Sequence, residues 1–290
     1  MNSLQKIKSR MARAPFVWRW ALNFDRTVRH MIDSRDRRPD QTLVGLLHRD
    51  GIAACRADDV LDERGMHCLH EATSEVERLL DGNDTAAGKC KSNPGKDYLT
   101  SLLGTEFDLD SPFLRLAIHP FFLDIANGYL GLRSCLRAIN VWVNRPTPSP
   151  PKESQLWHRD GDDRVILKVF IYLADVDFDN GPFWFIPGTH VKRSWTAAAG
   201  EPARWTDEQM RASIADGRWK AYTGPARTTI FADTTGFHKG GKCDQRSRVL
   251  LTFQYVSAAS SYPREFQLRS SIDMRGLDPL QRYALSIAGR

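Results

Sequence analysis

The chain has little of what would place it in a membrane or a disulfide scaffold. It has no run of about 18 consecutive apolar residues, so no transmembrane helix is expected. It does not open with a basic stretch, an apolar core and a small-residue cleavage site, so no secretory leader is expected. Cysteine is scarce and odd in number: Cys55, Cys68, Cys90, Cys135 and Cys243 form no C-x-x-C pair. That spacing argues against structural zinc and a disulfide framework, and reduced thiols in a cytoplasmic location are expected. Cys243 reads as a packed or exposed thiol. Internal repeats are also lacking. Apolar material is ample: 41 % of 290 residues are hydrophobic and eight are Trp, enough for one large domain or two small ones.

The net charge of +6 is unevenly placed. Residues 1–38 hold ten Lys and Arg against three Asp, a surplus of +7, which leaves −1 for the rest. A near-neutral body speaks against a nucleic-acid partner, which needs a basic surface. Phe16 to Ile32 mixes aromatics and Arg at helical spacing, so an amphipathic helix is expected. Such a basic helix makes either a peripheral or subunit contact, or packs across the body with its charges in water. Arg35 to Pro39 reads as a linker. The expected division is therefore a basic N-terminal arm over 1–38 and a single domain over 39–290.

From Gln41, TLVGLLHRDGIAACR reads as a short helix, a turn and a strand. A supporting helix is expected through about Leu80, then a turn-rich loop from Asp81 to Lys96. Helical spacing runs from Ser111 to about Leu130, with Pro120 breaking or restarting it. Leu136 to Asn144 alternates as a strand does: Ile139, Val141 and Val143 on one face, Asn140, Trp142 and Asn144 on the other. Thr196 to about Thr223 is an insert in which Thr206 and Gln209 form a capping pattern for a short helix. It is read as a lid or as a surface insertion. His48, His67, His70 and His119 lack partners at ligand spacing and are read as surface, capping or packed histidines.

The stretch from Gln155 to Trp195 carries the chemistry. In extended backbone His158 and Asp160 point to the same side, where an imidazole and a carboxylate can grip one metal ion. The apolar run VILKVFIYL follows, as a sheet wall requires, then a turn rich in Asn-Gly, Gly-Pro and Pro-Gly. The best third ligand lies far downstream, at His238. Two His and one carboxylate leave open positions on the metal, which suits Fe(II) in oxygenases.

WHRDGDD, VILKVFIYLADVD, NGPFWFIPGTH, and His238 followed ten residues later by Arg248 together resemble the phytanoyl-CoA dioxygenase family, over about Leu136 to Val256. The resemblance implies an α+β fold: a double-stranded β-helix, or jelly-roll barrel, supported by N-terminal helices. It implies an Fe(II)- and 2-oxoglutarate-dependent dioxygenase that uses O2 to hydroxylate or otherwise oxidise a small molecule, releasing succinate and CO2. Relatives that halogenate lack the carboxylate ligand, so Asp160 argues for hydroxylation. The implied metal ligands are His158, Asp160 and His238. An Arg fork suits the far carboxylate of 2-oxoglutarate. Family spacing favours Arg248 over its rival Arg246; parity does not separate them. Val141 and Phe170 match the family's wall beside the co-substrate. Lys168 shares a face with Phe170 and is a second candidate there, or reaches a carboxylate instead. Lys96 and Tyr98 are upstream candidates, and Trp157 and Arg159 flank the ligands as candidate substrate contacts. The competing reading is a barrel-fold binding or regulatory protein that keeps the metal motif without turnover.

Overall fold

The protein is described here by a computed structural model covering residues 14–33, 39–85, 91–92, 97–191, 203–269 and 273–286. The N-terminal segment is helical but broken: a wide π-type turn, Val17–Ala21, precedes helix α1, Phe24–Asp33. Asn23 holds the break in place. Its amide donates to the Trp18 carbonyl at 2.8 Å, and its oxygen accepts from the Ala258 N–H at 3.0 Å. Trp18 is buried and its indole donates to Asp163 at 2.8 Å. Arg26 is buried too, donating to the carbonyls of Arg133 and Tyr283. Residues 14–33 therefore pack on the body; the rest of the basic arm lies outside the described residues.

Helix α2, Gln41–Asp50, is capped by Asp40, which accepts from the N–H groups of Thr42 and Leu43. Gly51, at φ +79°, ends it in the left-handed region and turns the chain into strand β1, Ile52–Arg56. Helix α3 runs Glu63–Thr85, past the expected end near Leu80. Part of the turn-rich stretch, including Lys96, lies outside the described residues. Short strands β2, Lys91–Ser92, and β3, Leu99–Ser101, follow. Pro120 restarts the helix as expected: α4 spans Pro112–Ala117, and Pro120 opens α5, Pro120–Leu130.

Strands β4 (Cys135–Asn144), β5 (Leu167–Tyr172), β6 (Phe183–Phe185), helix α6 (Asp207–Ser213) and strands β7 (Lys220–Tyr222), β8 (Thr228–Asp233), β9 (His238–Gly240) and β10 (Arg248–Val256) complete the framework, before a C-terminal helix α7, Pro279–Leu285. A seven-stranded sheet has the order β1-β8-β5-β10-β4-β3-β2, and a three-stranded sheet the order β9-β6-β7. All of these pairings are antiparallel, and together the two sheets form a double-stranded β-helix. The end of the expected insert is thus a barrel strand, β7, and not part of a lid.

Alternation along the strands sorts side chains into layers. Val141, Val169, Phe231, Leu251 and Phe253 face the helices and pack with Leu47, Leu114 and Phe122. Their opposite numbers, including Tyr172, Ile230 and Leu250, face Phe183 and Phe185 across the barrel. Trp157, Ile186 and Met210 form a third cluster where α6 covers the outer face of the small sheet. Each such buried side chain contributes about 2–3 kcal/mol, so a one-residue slip that turned a strand over would be strongly opposed. The Asn180-Gly181 turn leading into β6 needs glycine: Gly181 has φ +66°, and a Cβ there would lie 2.4 Å from the carbonyl oxygens of Gly241 and Lys242.

Candidate metal centre

The small sheet brings two distant segments together. His158 and His238 face each other as an antiparallel pair, exchanging N–H···O=C bonds of 3.0 Å each. Two residues on, the Asp160 N–H donates to the Thr234 carbonyl at 2.8 Å. The backbone thus fixes all three positions before any ion arrives. His158 Nε2 lies 4.0 Å from Asp160 Oδ1, and His238 Nε2 lies 3.8 Å from Asp160 Oδ2. The three ligand atoms fall within 4.8 Å of one another, the one such group among the described residues. Each ring is also held from behind: His158 Nδ1 is 2.8 Å from the Leu156 carbonyl, and His238 Nδ1 is 3.0 Å from that of Gly236. A carbonyl can only accept, so each Nδ1 carries the proton and each Nε2 presents its lone pair inward. Two imidazole nitrogens and one carboxylate oxygen fit Fe(II) with open positions, whereas a closed structural zinc site would need a fourth ligand.

Electrostatics favour the ligand-ready state. Burial, with the neighbouring His238, lowers the His158 pKa to about 3, and burial lowers that of His238. Burial pushes Asp160 up, but Lys168 and the two imidazoles outweigh it and hold the carboxyl well below the usual range. Lys168 Nζ sits 2.7 Å from Asp160 Oδ2, an ion pair at hydrogen-bond distance without the alignment of a directed bond. Below pH 6.5 the unfolded chain takes up a proton that folded His158 refuses until about 3. Stability therefore falls as pH is lowered through that window. Chelator-treated protein should melt at a lower temperature at pH 5 than at pH 7, and His158→Asn should shrink that difference. Equal drops in the two proteins would show that the imidazole is not the cause.

The two candidate arginines separate by location. Arg248 begins β10 and is 4 % exposed, with Nε and Nη1 lacking hydrogen-bond partners. Arg246 precedes the strand and is half-exposed, ion-paired with Asp177 and Asp179. Strand parity could not separate them, because only Arg248 is in the strand. Tyr98 and Tyr172 lie near enough to Arg248 to act on it electrostatically, as does Cys243. Tyr98 is buried, its hydroxyl 2.9 Å from Ser154 Oγ. Cys243 is buried and donates to the Asn180 carbonyl, and burial pushes its thiol up.

Phe170 and Lys168 face the barrel interior. Phe170 packs at 4.5 Å on Phe183, itself 5.8 Å from the His238 ring. The expectation for Val141 does not hold. Val141 pairs with Leu251 and faces the helix-side core; its neighbours Asn140 and Trp142 face the interior and line a cavity there. Trp157 is fully buried in the cluster with Ile186 and Met210 on the outer face of the small sheet. Its indole donates to Asp207 Oδ1 at 2.8 Å, and Lys239 Nζ donates to the same oxygen. Asp207, the first residue of α6, thus ties the residue before His158 to the residue after His238. In sequence it is an ordinary acidic residue in a helix's first turn, so nothing there marked it. Arg159 donates to the Thr189 carbonyl and lies over the Phe237 ring.

Two cavities are prominent. The larger, about 630 Å³, lies among Trp18, Arg19, His48, Tyr129, Arg164 and His190, and no metal ligand lines it. The smaller, about 280 Å³, is lined by Lys168 and Phe170 and adjoins the metal centre. No described helix is long and apolar enough to cross a membrane.

Fold and centre together define a double-stranded β-helix protein in which two histidines and one carboxylate converge so that they could hold a metal ion. The model of the phytanoyl-CoA dioxygenase (PhyH) family matches residues 47–241, more than half of the chain. The protein belongs to that family. Arg248 lies just beyond the match. Among solved structures, the chain is similar to EctD from S. alaskensis with bound Fe: 22 % identity over 78 % of this chain and 79 % of that one, TM-score 0.54. It is similar to the epimerase SnoN in complex with Fe3+, alpha ketoglutarate and nogalamycin RO, at 20 % identity over 82 % and 92 %, TM-score 0.53. It is also similar to the carbocyclase SnoK from nogalamycin biosynthesis, at 16 % identity over 78 % and 86 %, TM-score 0.52. At these identities the likeness is one of fold. No curated protein matches the sequence.

Proposed function

We propose that the protein is an Fe(II)- and 2-oxoglutarate-dependent dioxygenase that hydroxylates, or otherwise oxidises, a small molecule in the cytoplasm. The observation that carries this reading is the convergence of His158, Asp160 and His238 at the edge of the barrel interior. When bound, Fe(II) and 2-oxoglutarate supply oxidative chemistry at a C–H bond, with one atom of O2 entering the product and the other entering succinate as CO2 leaves. His158 and His238 present neutral Nε2 atoms to the metal, and Asp160 presents an anionic oxygen. Lys168 stays on the carboxylate and orients it. Arg248 offers a buried guanidinium to the far carboxylate of 2-oxoglutarate. Phe170 and Phe183 keep the space beside His238 apolar and dry. The retained Asp160 supports hydroxylation, although SnoN and SnoK put the same fold to epimerisation and carbocyclisation. Succinate formation from 2-oxoglutarate with Fe(II) and ascorbate, together with a product heavier by one oxygen in a metabolite extract, tests the reading. No succinate under any condition would favour the binding-protein alternative.

The Asp207 clamp supports the same reading. Asp207→Ala should weaken Mn(II) binding, followed by EPR, by roughly tenfold, because partners that hold ligands in place are worth about that much. An unchanged affinity would leave Asp207 a surface residue of α6 only. At the N-terminus, the exposed side chains Phe16, Trp20, Phe24, Met31 and Ile32 support a peripheral or subunit contact for that segment.

A further inference from the structure

We propose that the cavity beside the metal centre holds the primary substrate, and that its surplus of carboxylate selects a compact amine carrying further hydrogen-bonding groups. This rests on the oxygenase reading and deepens it. The cavity is walled by the inner faces of β4, β5 and β10, and Asp162, Tyr262 and Glu265 stand among its lining residues. Lys168 joins it to the metal centre, since the same side chain lines the cavity and pairs with Asp160.

Charge decides what fits. Arg137 ion-pairs with both Asp162, at 2.9 Å, and Glu265, at 3.0 Å. One guanidinium thus faces two carboxylates. Lys168, the other cation of the lining, is matched by Asp160. The lining itself holds two cations and two carboxylates, so the surplus of one negative charge lies around Arg137 and arises because Lys168 is drawn to Asp160, outside the lining. Gln254 does not alter this balance: it accepts from Arg137 and donates to Asp162, so both ends are engaged within the network. The Glu265 side chain is 47 % exposed, leaving oxygen surface open to a ligand. Trp142, Phe170 and Tyr262 supply aromatic walls, which also favour a cation. Asn140 and Thr252 add neutral hydrogen-bonding groups.

Size narrows the class further. About 280 Å³ lies just below the usual range of small-molecule sites, about 300 to 1,000 Å³. An acyl-CoA, large and polyanionic, is disfavoured on both counts. A free acid would find no unmatched cation in the lining.

The test uses protein loaded with Mn(II) and 2-oxoglutarate, titrated by ligand-observed NMR. Ammonium probes (glucosamine, histamine) are compared with neutral glucose, anionic glucuronate and palmitoyl-CoA. At least one ammonium probe should bind about tenfold tighter than glucuronate, and Glu265→Gln should remove most of that preference. Glutamine keeps a hydrogen bond to Arg137 at a half-exposed position, so the fold is retained; Asp162→Asn is the second variant. The proposal is overturned if glucuronate or palmitoyl-CoA binds as tightly as the amines, if no amine binds, or if neither variant changes the preference. EPR of Mn(II) in the same samples separates the two readings. Absent metal binding faults the oxygenase reading, whereas a bound metal with the wrong charge preference faults only this one.

Discussion

Asp160→Ala is expected to abolish Fe(II) retention at the centre, with affinity down by more than about a hundredfold, since even residues that only support a ligand are worth about tenfold to a hundredfold. Succinate formation should fall to background. A second effect follows from Lys168. Removing one partner of a buried ion pair strands the other charge, at a cost of about 3–5 kcal/mol. Here the side chains keep 18 % and 24 % exposure, so solvent screens part of that and about 2–3 kcal/mol is expected. The variant should therefore melt earlier as well as fail to bind metal. The pair Asp160→Ala with Lys168→Met tells the two effects apart. It should recover much of the lost stability, because no orphan ammonium remains, and recover none of the metal affinity. Full turnover by Asp160→Ala would refute the ligand assignment, and failure of the second substitution to restore stability would refute the account of Lys168.

The grouping of His158, Asp160 and His238 was legible because its signal is local and chemical. His158 and Asp160 sit at strand spacing, and His238 opens a β-rich run. Pro120, the Thr206 cap and the alternation of β4 were legible for the same reason: each depends on a few adjacent residues. Val141 shows where a borrowed position fails. Its own alternation with Ile139 and Val143 placed it on a continuous apolar face, which in a two-layer fold turns toward the helices. That parity was the better guide, and Asn140 and Trp142 are the residues that reach the interior. Asp207 and Glu265 were not legible, because their roles come from long-range contacts: Asp207 with residues 50 and 32 positions away, Glu265 with Arg137, to which it is joined by a backbone hydrogen bond and an ion pair. The end of the insert was not legible either. Only the register of β7 on β6 reveals that its last residues belong to the sheet, while α6 lies behind the ligands.

Arg248→Met is expected to raise the KM for 2-oxoglutarate by roughly a hundredfold, the worth of a charge-assisted hydrogen-bond pair of about 2–3 kcal/mol. Burial lowers the pKa of Arg248, yet a guanidinium stays charged in a protein. Two of its nitrogens lack partners, and its electrostatic neighbours are the phenols of Tyr172 and Tyr98 and the thiol of Cys243, with no carboxylate among them. A buried cation without a counter-charge destabilises the empty protein. A dicarboxylate such as 2-oxoglutarate would supply both the charge and the acceptors. The wild type should therefore gain thermal stability when 2-oxoglutarate is added with Mn(II). Arg248→Met should be no less stable when empty, because the unmatched charge is gone, and should gain almost nothing from 2-oxoglutarate. Arg246→Met should behave as wild type in both respects, since Arg246 is half-exposed and already paired with Asp177. If Arg248→Met were still stabilised at the concentrations that stabilise the wild type, the co-substrate's tail would have to lie elsewhere in the barrel.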